Sequence, residues 1–92
     1  MARSTAARKY QITINNPQKH GFTHEHIKGL LPQFSSLLYW CMCDETGAEG
    51  TPHTHLYLVF KNAVMFSTLQ QRFYGAHIEM AKGSNQENRD YI

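Results

Sequence analysis

Two histidines separated by one residue are the strongest chemical signal in this sequence. His53 and His55 lie in residues 52–58, a run typical of a β-strand. Side chains of a strand alternate between the two faces, so both imidazoles point the same way from Cα atoms roughly 6.7 Å apart. Two imidazole nitrogens placed in this way can bind one divalent cation. The spacing therefore predicts part of a metal site on one face of a sheet.

Tyr91 is the second chemically informative residue. It lies in a polar run that opens with Ser84-x-x-Glu87, a capping box that predicts the start of a helix. A tyrosine on a late helix, combined with a metal-binding histidine pair, suggests phosphodiester cleavage with a tyrosine nucleophile. Lys82, just before Gly83, could meet a phosphate, although a solvated lysine is the simpler interpretation.

Composition and charge indicate one ordinary folded domain. The chain has 92 residues, 41% of them apolar and 17% charged, which suits a single modest core. The net charge of +2 permits nucleic-acid binding without requiring it. No apolar run approaches the ~20 residues of a membrane helix, so we expect no membrane partner. Residues 1–8 carry Arg3 and Arg8 with no acidic residue, which predicts a flexible basic arm before a domain over residues 9–92.

The hydrophobic pattern predicts an α+β fold. Strands and helices alternate in the order β-α-β-β-α-β-α, a split βαβ layout like that of ferredoxin and RNA-recognition domains. We expect one antiparallel sheet with its helices on one face and the active site on the other. The strands are predicted at residues 10–15, 37–45, 53–60 and 77–81, and the helices at about 23–34, 67–74 and from 84 onward.

Strand alternation supplies a third ligand for the metal. If the more apolar face of the sheet packs on the helices, the other face gathers His53, His55 and Glu45. Two imidazoles and one carboxylate suit a catalytic divalent cation with open positions. Glu79 falls on the same face but is more simply a solvated strand residue.

Two alternatives remain open on these residues. Cys41 and Cys43, the only cysteines, could join the two histidines in a structural zinc site, although their spacing is not the usual one. Alternatively, Tyr39 and Tyr57 on the open face could stack bases in a non-catalytic, RNA-recognition-like module that binds single-stranded nucleic acid. The chain lacks the sequence pattern that such modules usually carry.

Three short blocks, taken in order, give the sequence a family resemblance. They are Ile12-Thr13-Ile14-Asn15-Asn16-Pro17, then Gly50-Thr51-Pro52-His53-Thr54-His55-Leu56, then Tyr91. With these blocks the chain resembles the endonuclease domain of rolling-circle replication initiators. These are the Rep proteins of circoviruses and related single-stranded DNA viruses and plasmids, within the histidine–hydrophobic–histidine (HUH) endonuclease superfamily. The resemblance covers about residues 9–92.

The resemblance implies a function and roles for residues. The chain would nick and rejoin single-stranded origin DNA at a stem-loop, through a 5′-phosphotyrosine on Tyr91. Mg²⁺ or Mn²⁺ would be held by Glu45, His53 and His55. The first block, at Thr13, Asn15 and Asn16, would help recognise the DNA.

The resemblance also implies a larger protein. We expect a C-terminal helicase domain, and a location in the host nucleus for a eukaryotic virus or in the cytoplasm for a bacterial plasmid. Two departures from the family pattern stand out. Thr54 replaces the usual aliphatic residue between the histidines, and the lysine of the family's Tyr-x-x-Lys motif is missing because the sequence stops at Ile92. We therefore expect a domain cut within its last helix.

Overall fold

A single antiparallel sheet organises the chain. The computed structural model describes residues 6–47 and 50–81, and there the sheet has four strands in the order β2-β3-β1-β4. All the pairings are antiparallel, which confirms the predicted split βαβ fold. The predicted last helix lies outside the described residues. The elements are β1 (Ala6–Asn15), α1 (His24–Leu30), β2 (Leu37–Thr46), β3 (Pro52–Met65), α2 (Phe66–Arg72) and β4 (His77–Met80), with short 3-10 helices at Pro17–His20 and Leu31–Gln33.

The first strand is longer than its alternating pattern predicts. It begins at Ala6, because β3 continues beyond Phe60 to Met65 and pairs there with Ala6 and Ala7. Ala7 also packs against the core. The arm predicted for residues 1–8 is therefore wrong at residues 6–8, which belong to the sheet. Residues 1–5 lie outside the described part of the chain.

Both described helices are short, and local sequence explains the ends of α1. The Thr23 hydroxyl accepts the backbone N–H of His26 at 3.2 Å, as its position before the helix predicts. Pro32 cannot donate to an α-helical ladder, and the chain tightens into the 3-10 helix that contains it. With seven residues each, neither α1 nor α2 is long enough to cross a membrane.

The core lies between the two helices and one face of the sheet. Its largest members are aromatic, and they include Tyr10, Phe60 and Phe73, each with no exposed surface. Tyr10 packs edge-on against Phe60, and its hydroxyl donates to the Val64 carbonyl at 2.6 Å. Burial raises the pKa of the Tyr10 phenol, and a backbone hydrogen bond with Ala7 partly offsets this effect. The remaining buried members are Ile12, Ile14, Phe22, Ile27, Leu31, Leu56, Leu58, Leu69 and Ile78.

A polar contact at the edge of the core holds β2, β3 and the start of α1 together. Thr54 is fully buried and donates its hydroxyl to Asp44 Oδ1 at 2.8 Å. His24 Nε2 lies 2.8 Å from the same carboxylate oxygen. The hydrogen bond from His24, and then the one from Thr54, lower the pKa of Asp44 against the opposing effect of burial. We refer to His24, Asp44 and Thr54 as the core-face clasp.

Loss of the Tyr10 hydroxyl tests the packing of the long β3. We expect Tyr10→Phe to lower the free energy of unfolding by about 1–2 kcal/mol, because it leaves the Val64 carbonyl without this donor. Urea unfolding measures the change. Tyr74→Phe is the matched control, since the Tyr74 side chain is 68% exposed and should change stability by less than about 0.5 kcal/mol. Equal effects of the two substitutions would contradict the contact.

The core-face clasp predicts a stability difference that depends on pH. Asp44→Asn keeps an acceptor oxygen but loses the charge, and at pH 7 we expect it to cost up to about 1 kcal/mol, because the contact between His24 and Asp44 is largely exposed to solvent. The folded-state pKa of Asp44 is lowered, so the contribution is present above the unfolded value of about 3.9 and is lost as the pH falls through the folded value. Urea unfolding should therefore show the stabilities of wild type and variant converging in acid. A gap that does not change with pH would contradict the assignment.

Candidate functional site

The β2–β3 hairpin brings the predicted metal ligands onto one face of the sheet. Glu45 pairs with His53, and Cys43 pairs with His55, in the antiparallel register. Both imidazoles lie on the face opposite the helices, which we call the open face, and their ring centroids are 5.5 Å apart. Strand alternation thus produces the juxtaposition that the sequence predicts.

Glu45 and His55 are already in contact. Glu45 Oε2 lies 2.9 Å from His55 Nε2. Two ligands at right angles in an octahedral site, each about 2.1 Å from the ion, lie about 3 Å apart. The carboxylate and the imidazole therefore stand at a separation that also suits adjacent ligands of Mg²⁺ or Mn²⁺. A carboxylate with imidazoles is a donor set that such ions accept.

His53 has a buried nitrogen that the protein leaves available. Its Nδ1 is shielded from solvent and has no hydrogen-bond partner among residues 6–47 and 50–81. Such a buried polar atom is costly unless something binds it. The ring rests against Gly47, where an added Cβ would come within 3.2 Å of His53 Cε1. Glycine in the β2–β3 turn therefore leaves room for the imidazole.

Thr13 contacts His55 from the neighbouring strand. Thr13 pairs with His55 across β1 and β3, and its hydroxyl lies 3.4 Å from Nδ1 of the imidazole. A hydroxyl can donate or accept, so Thr13 can pair with this nitrogen in either tautomer of His55. The contact limits rotation of the ring while Nε2 faces Glu45. This contact with His55 is not part of the DNA-binding role that the sequence predicts for Thr13.

The open face does not hold a completed metal cluster. Within the described residues, no group of three or more His, Cys, Asp or Glu side chains is arranged to hold an ion. This applies equally to the zinc alternative that uses Cys41 and Cys43. Both cysteines are free thiols, and that of Cys43 donates to the Asp44 carbonyl at 3.5 Å. Among the described side chains, the Glu45–His55 pair with His53 beside it resembles the predicted metal site most.

The first of the three sequence blocks, Ile12 to Pro17, turns beside the histidines. Asn15 ends β1 opposite His53. Asn16 adopts a left-handed conformation with φ 49°, which asparagine tolerates better than most residues. Its backbone N–H donates to the Pro52 carbonyl at 2.8 Å. This bond fastens the turn to the start of the strand that carries His53 and His55.

Two residues of the open face are less exposed to solvent than the sequence predicts. Tyr57 has no exposed surface and Val59 is 7% exposed, although both alternate with the core residues of β3. Tyr39 packs edge-on against Tyr57, with ring centroids 6.2 Å apart. Bases stack on exposed aromatic faces, so the buried Tyr57 ring argues against the base-stacking alternative.

Two predicted site residues lie outside the part of the chain that the structure describes, and two contacts were not predicted from the sequence. Lys82 and Tyr91 lie beyond the described residues. Sequence reasoning missed the Thr13–His55 contact and the core-face clasp. Two polar residues on the core side of alternating strands, Asp44 and Thr54, were an available signal for the clasp, because buried polar side chains require partners. Thr54 points away from the histidines, as its place between them predicts.

Comparison with known proteins gives consistent matches along nearly the whole chain. The viral replication protein family (Viral_Rep, "Putative viral replication protein") matches residues 7–92. The replication-associated protein of pigeon circovirus is 34% identical over 90 residues, 97% of this chain and 27% of that protein. That of beak and feather disease virus is 34% identical over 87 residues, 95% of this chain and 29% of the relative. Para-Rep C2 of subterranean clover stunt C2 alphasatellite is 35% identical over 86 residues, 92% of this chain and 30% of that protein.

These matches show the family. The chain spans less than a third of the length of each of these three relatives. The fold, the histidine pair and the matched range agree with one another. The chain therefore belongs to the viral replication protein family, as a rolling-circle Rep domain of the kind found in circular single-stranded DNA viruses.

Proposed function

We propose that this domain nicks and rejoins single-stranded DNA to initiate rolling-circle replication. The observation that carries the proposal is the 2.9 Å contact between Glu45 Oε2 and His55 Nε2, with His53 on the same face of the sheet. Family membership supports a role in replication. The chemistry itself is inferred from the donor set and from Tyr91.

Glu45, His53 and His55 would hold a divalent cation, Mg²⁺ or Mn²⁺. Bound there, the ion would withdraw charge from a non-bridging phosphate oxygen of the DNA. The three side chains approach from neighbouring strands of one hairpin, so the sheet fixes their relative positions. Thr13 orients the His55 ring from the other side.

Tyr91 would be the nucleophile. Its phenolic oxygen would attack phosphorus, forming a P–O bond as the bond from phosphorus to the 3′ oxygen breaks. The phenol loses its proton as it attacks, the 3′ oxygen takes up a proton and leaves as a free hydroxyl, and the 5′ phosphate remains on the tyrosine. Because one phosphate ester replaces another, a later 3′ hydroxyl can reverse the step and rejoin the strand without a nucleotide cofactor.

The same proposal assigns the DNA contacts. Thr13, Asn15 and Asn16 would contribute to recognition of a single-stranded origin stem-loop, and Lys82 would neutralise a phosphate. The relatives are longer than this chain, which supports a further domain in the full-length protein. We propose that this is a C-terminal helicase.

Loss of one imidazole should remove the metal-dependent chemistry. We expect His55→Ala to lower Mn²⁺ affinity by about tenfold or more, and to reduce cleavage of a stem-loop pool with randomised loops by about two orders of magnitude or more. Calorimetry and denaturing gels measure the two effects, and EDTA should abolish wild-type cleavage. His26→Ala is the matched control, because His26 is an exposed residue of α1. A His55→Ala protein that cuts normally with Mn²⁺ would exclude the metal assignment.

Loss of one hydroxyl should remove the covalent intermediate. Tyr91→Phe should bind DNA and Mn²⁺ as wild type does, because only the nucleophilic oxygen is lost, and it should form no protein–DNA adduct on a denaturing gel. Tyr74→Phe is the control, since the Tyr74 ring packs beside Phe22 on the core side of the sheet. An adduct that persists in Tyr91→Phe would place the nucleophile elsewhere.

A further inference from the structure

A cleft of about 600 Å³ opens beside the candidate metal ligands. The 3-10 helix that follows β1 forms one wall, and the ends of the β2–β3 hairpin form the other. The residues that matter for its chemistry are Asn16, Pro17, Lys19, Asp44, Glu45 and Pro52. His53 also reaches its lining, so the cleft and the candidate metal site share a border. Its volume is within the range of small-molecule sites in proteins.

Backbone hydrogen bonds fix the walls of the cleft. Asn16 N–H donates to the Pro52 carbonyl at 2.8 Å, and Lys19 N–H donates to the Asn16 carbonyl at 3.0 Å. Within the described part of the chain, the Asn16 side chain does not cap the 3-10 helix that follows it. Asn16 is therefore a lining residue of the cleft whose carboxamide is not used to cap this helix and whose backbone is held in place.

The charges of the cleft favour a neutral ligand that carries hydrogen-bond donors. In the metal-free protein, the lining residues Asp44 and Glu45 are two carboxylates against one lysine, Lys19, so a phosphate inside the cleft would be repelled. Both hydrogen bonds of the core-face clasp end on Asp44 Oδ1, and Oδ2 carries neither of them. Carboxylate oxygens accept from amino groups, and the proline rings of Pro17 and Pro52 provide apolar surface on the walls.

We propose that this cleft binds one unpaired nucleobase with an exocyclic amino group, on the nucleotide next to the phosphate that the cation bound by Glu45, His53 and His55 would contact. Adenine fits the wall well, because an asparagine carboxamide can bond both a donor and an acceptor on its edge. Cytosine also presents an amino group, whereas thymine presents none. The inference rests on the proposed function, since it places the base beside the same candidate site.

Binding of short single-stranded oligonucleotides tests the proposal without cleavage. The probes are an oligothymidylate and the same strand with one internal adenine or cytosine, and fluorescence anisotropy without divalent metal gives the affinities. For wild type we expect the single adenine or cytosine to tighten binding about tenfold, the size of one base contact. In Asn16→Gly, which removes the carboxamide and accepts the φ of 49°, the preference should fall below about threefold.

A matched variant and two distinct failures make the test decisive. Asn62→Gly removes an exposed carboxamide towards the other end of β3 and should keep the tenfold preference. The inference is overturned if thymine binds equally well or better, or if Asn16→Gly keeps the preference in full. A wild-type protein that prefers adenine or cytosine but never cuts DNA with Mn²⁺ would sink the proposed function and leave the base site standing. A wild-type protein that cuts DNA without any such preference would overturn the base site and leave the proposed function standing.

Discussion

Antiparallel pairing of β2 with β3 is the constraint on which the candidate site depends. The register places Asp44 opposite Thr54 and Glu45 opposite His53. On the core side, the Asp44–Thr54 hydrogen bond fastens the two strands together. On the open side, the same register presents Glu45 to the histidines. A slip by one residue would exchange the two faces, burying the charge of Glu45 and exposing the apolar residues of β3.

Thr54 shows how one residue can serve the fold while its neighbours serve the site. An aliphatic residue between two histidines needs only a core to pack in, whereas a buried hydroxyl also needs an acceptor. Asp44 supplies that acceptor and is held in turn by His24 at the start of α1. The sheet edge nearest the histidines is thereby tied to a helix. This contact contributes to holding the sheet edge in place, as a pre-organised site requires.

Local periodicity was enough to predict the parts of the fold that follow simple rules. Alternation in β3 predicted which face carries His53 and His55. Thr23 predicted where α1 begins, and Pro32 predicted its early end. The extension of β1 to Ala6 was missed, because it depends on pairing with the distant end of β3. The Thr13–His55 contact was also missed, since strand order decides which side chains become neighbours. The burial of Tyr57 could not be read from alternation, which assigns a face but not what covers it.

The central claim is that Glu45, His53 and His55 bind one catalytic cation, and anomalous diffraction tests it most directly. Crystals of the domain soaked in Mn²⁺ should show one anomalous peak on the open face, within about 2.0–2.3 Å of an oxygen of Glu45 and of a nitrogen from each histidine. Because Glu45 and His55 are already in contact, these two ligands should need little rearrangement. A peak elsewhere, or density held by Cys41 and Cys43 instead, would contradict the account.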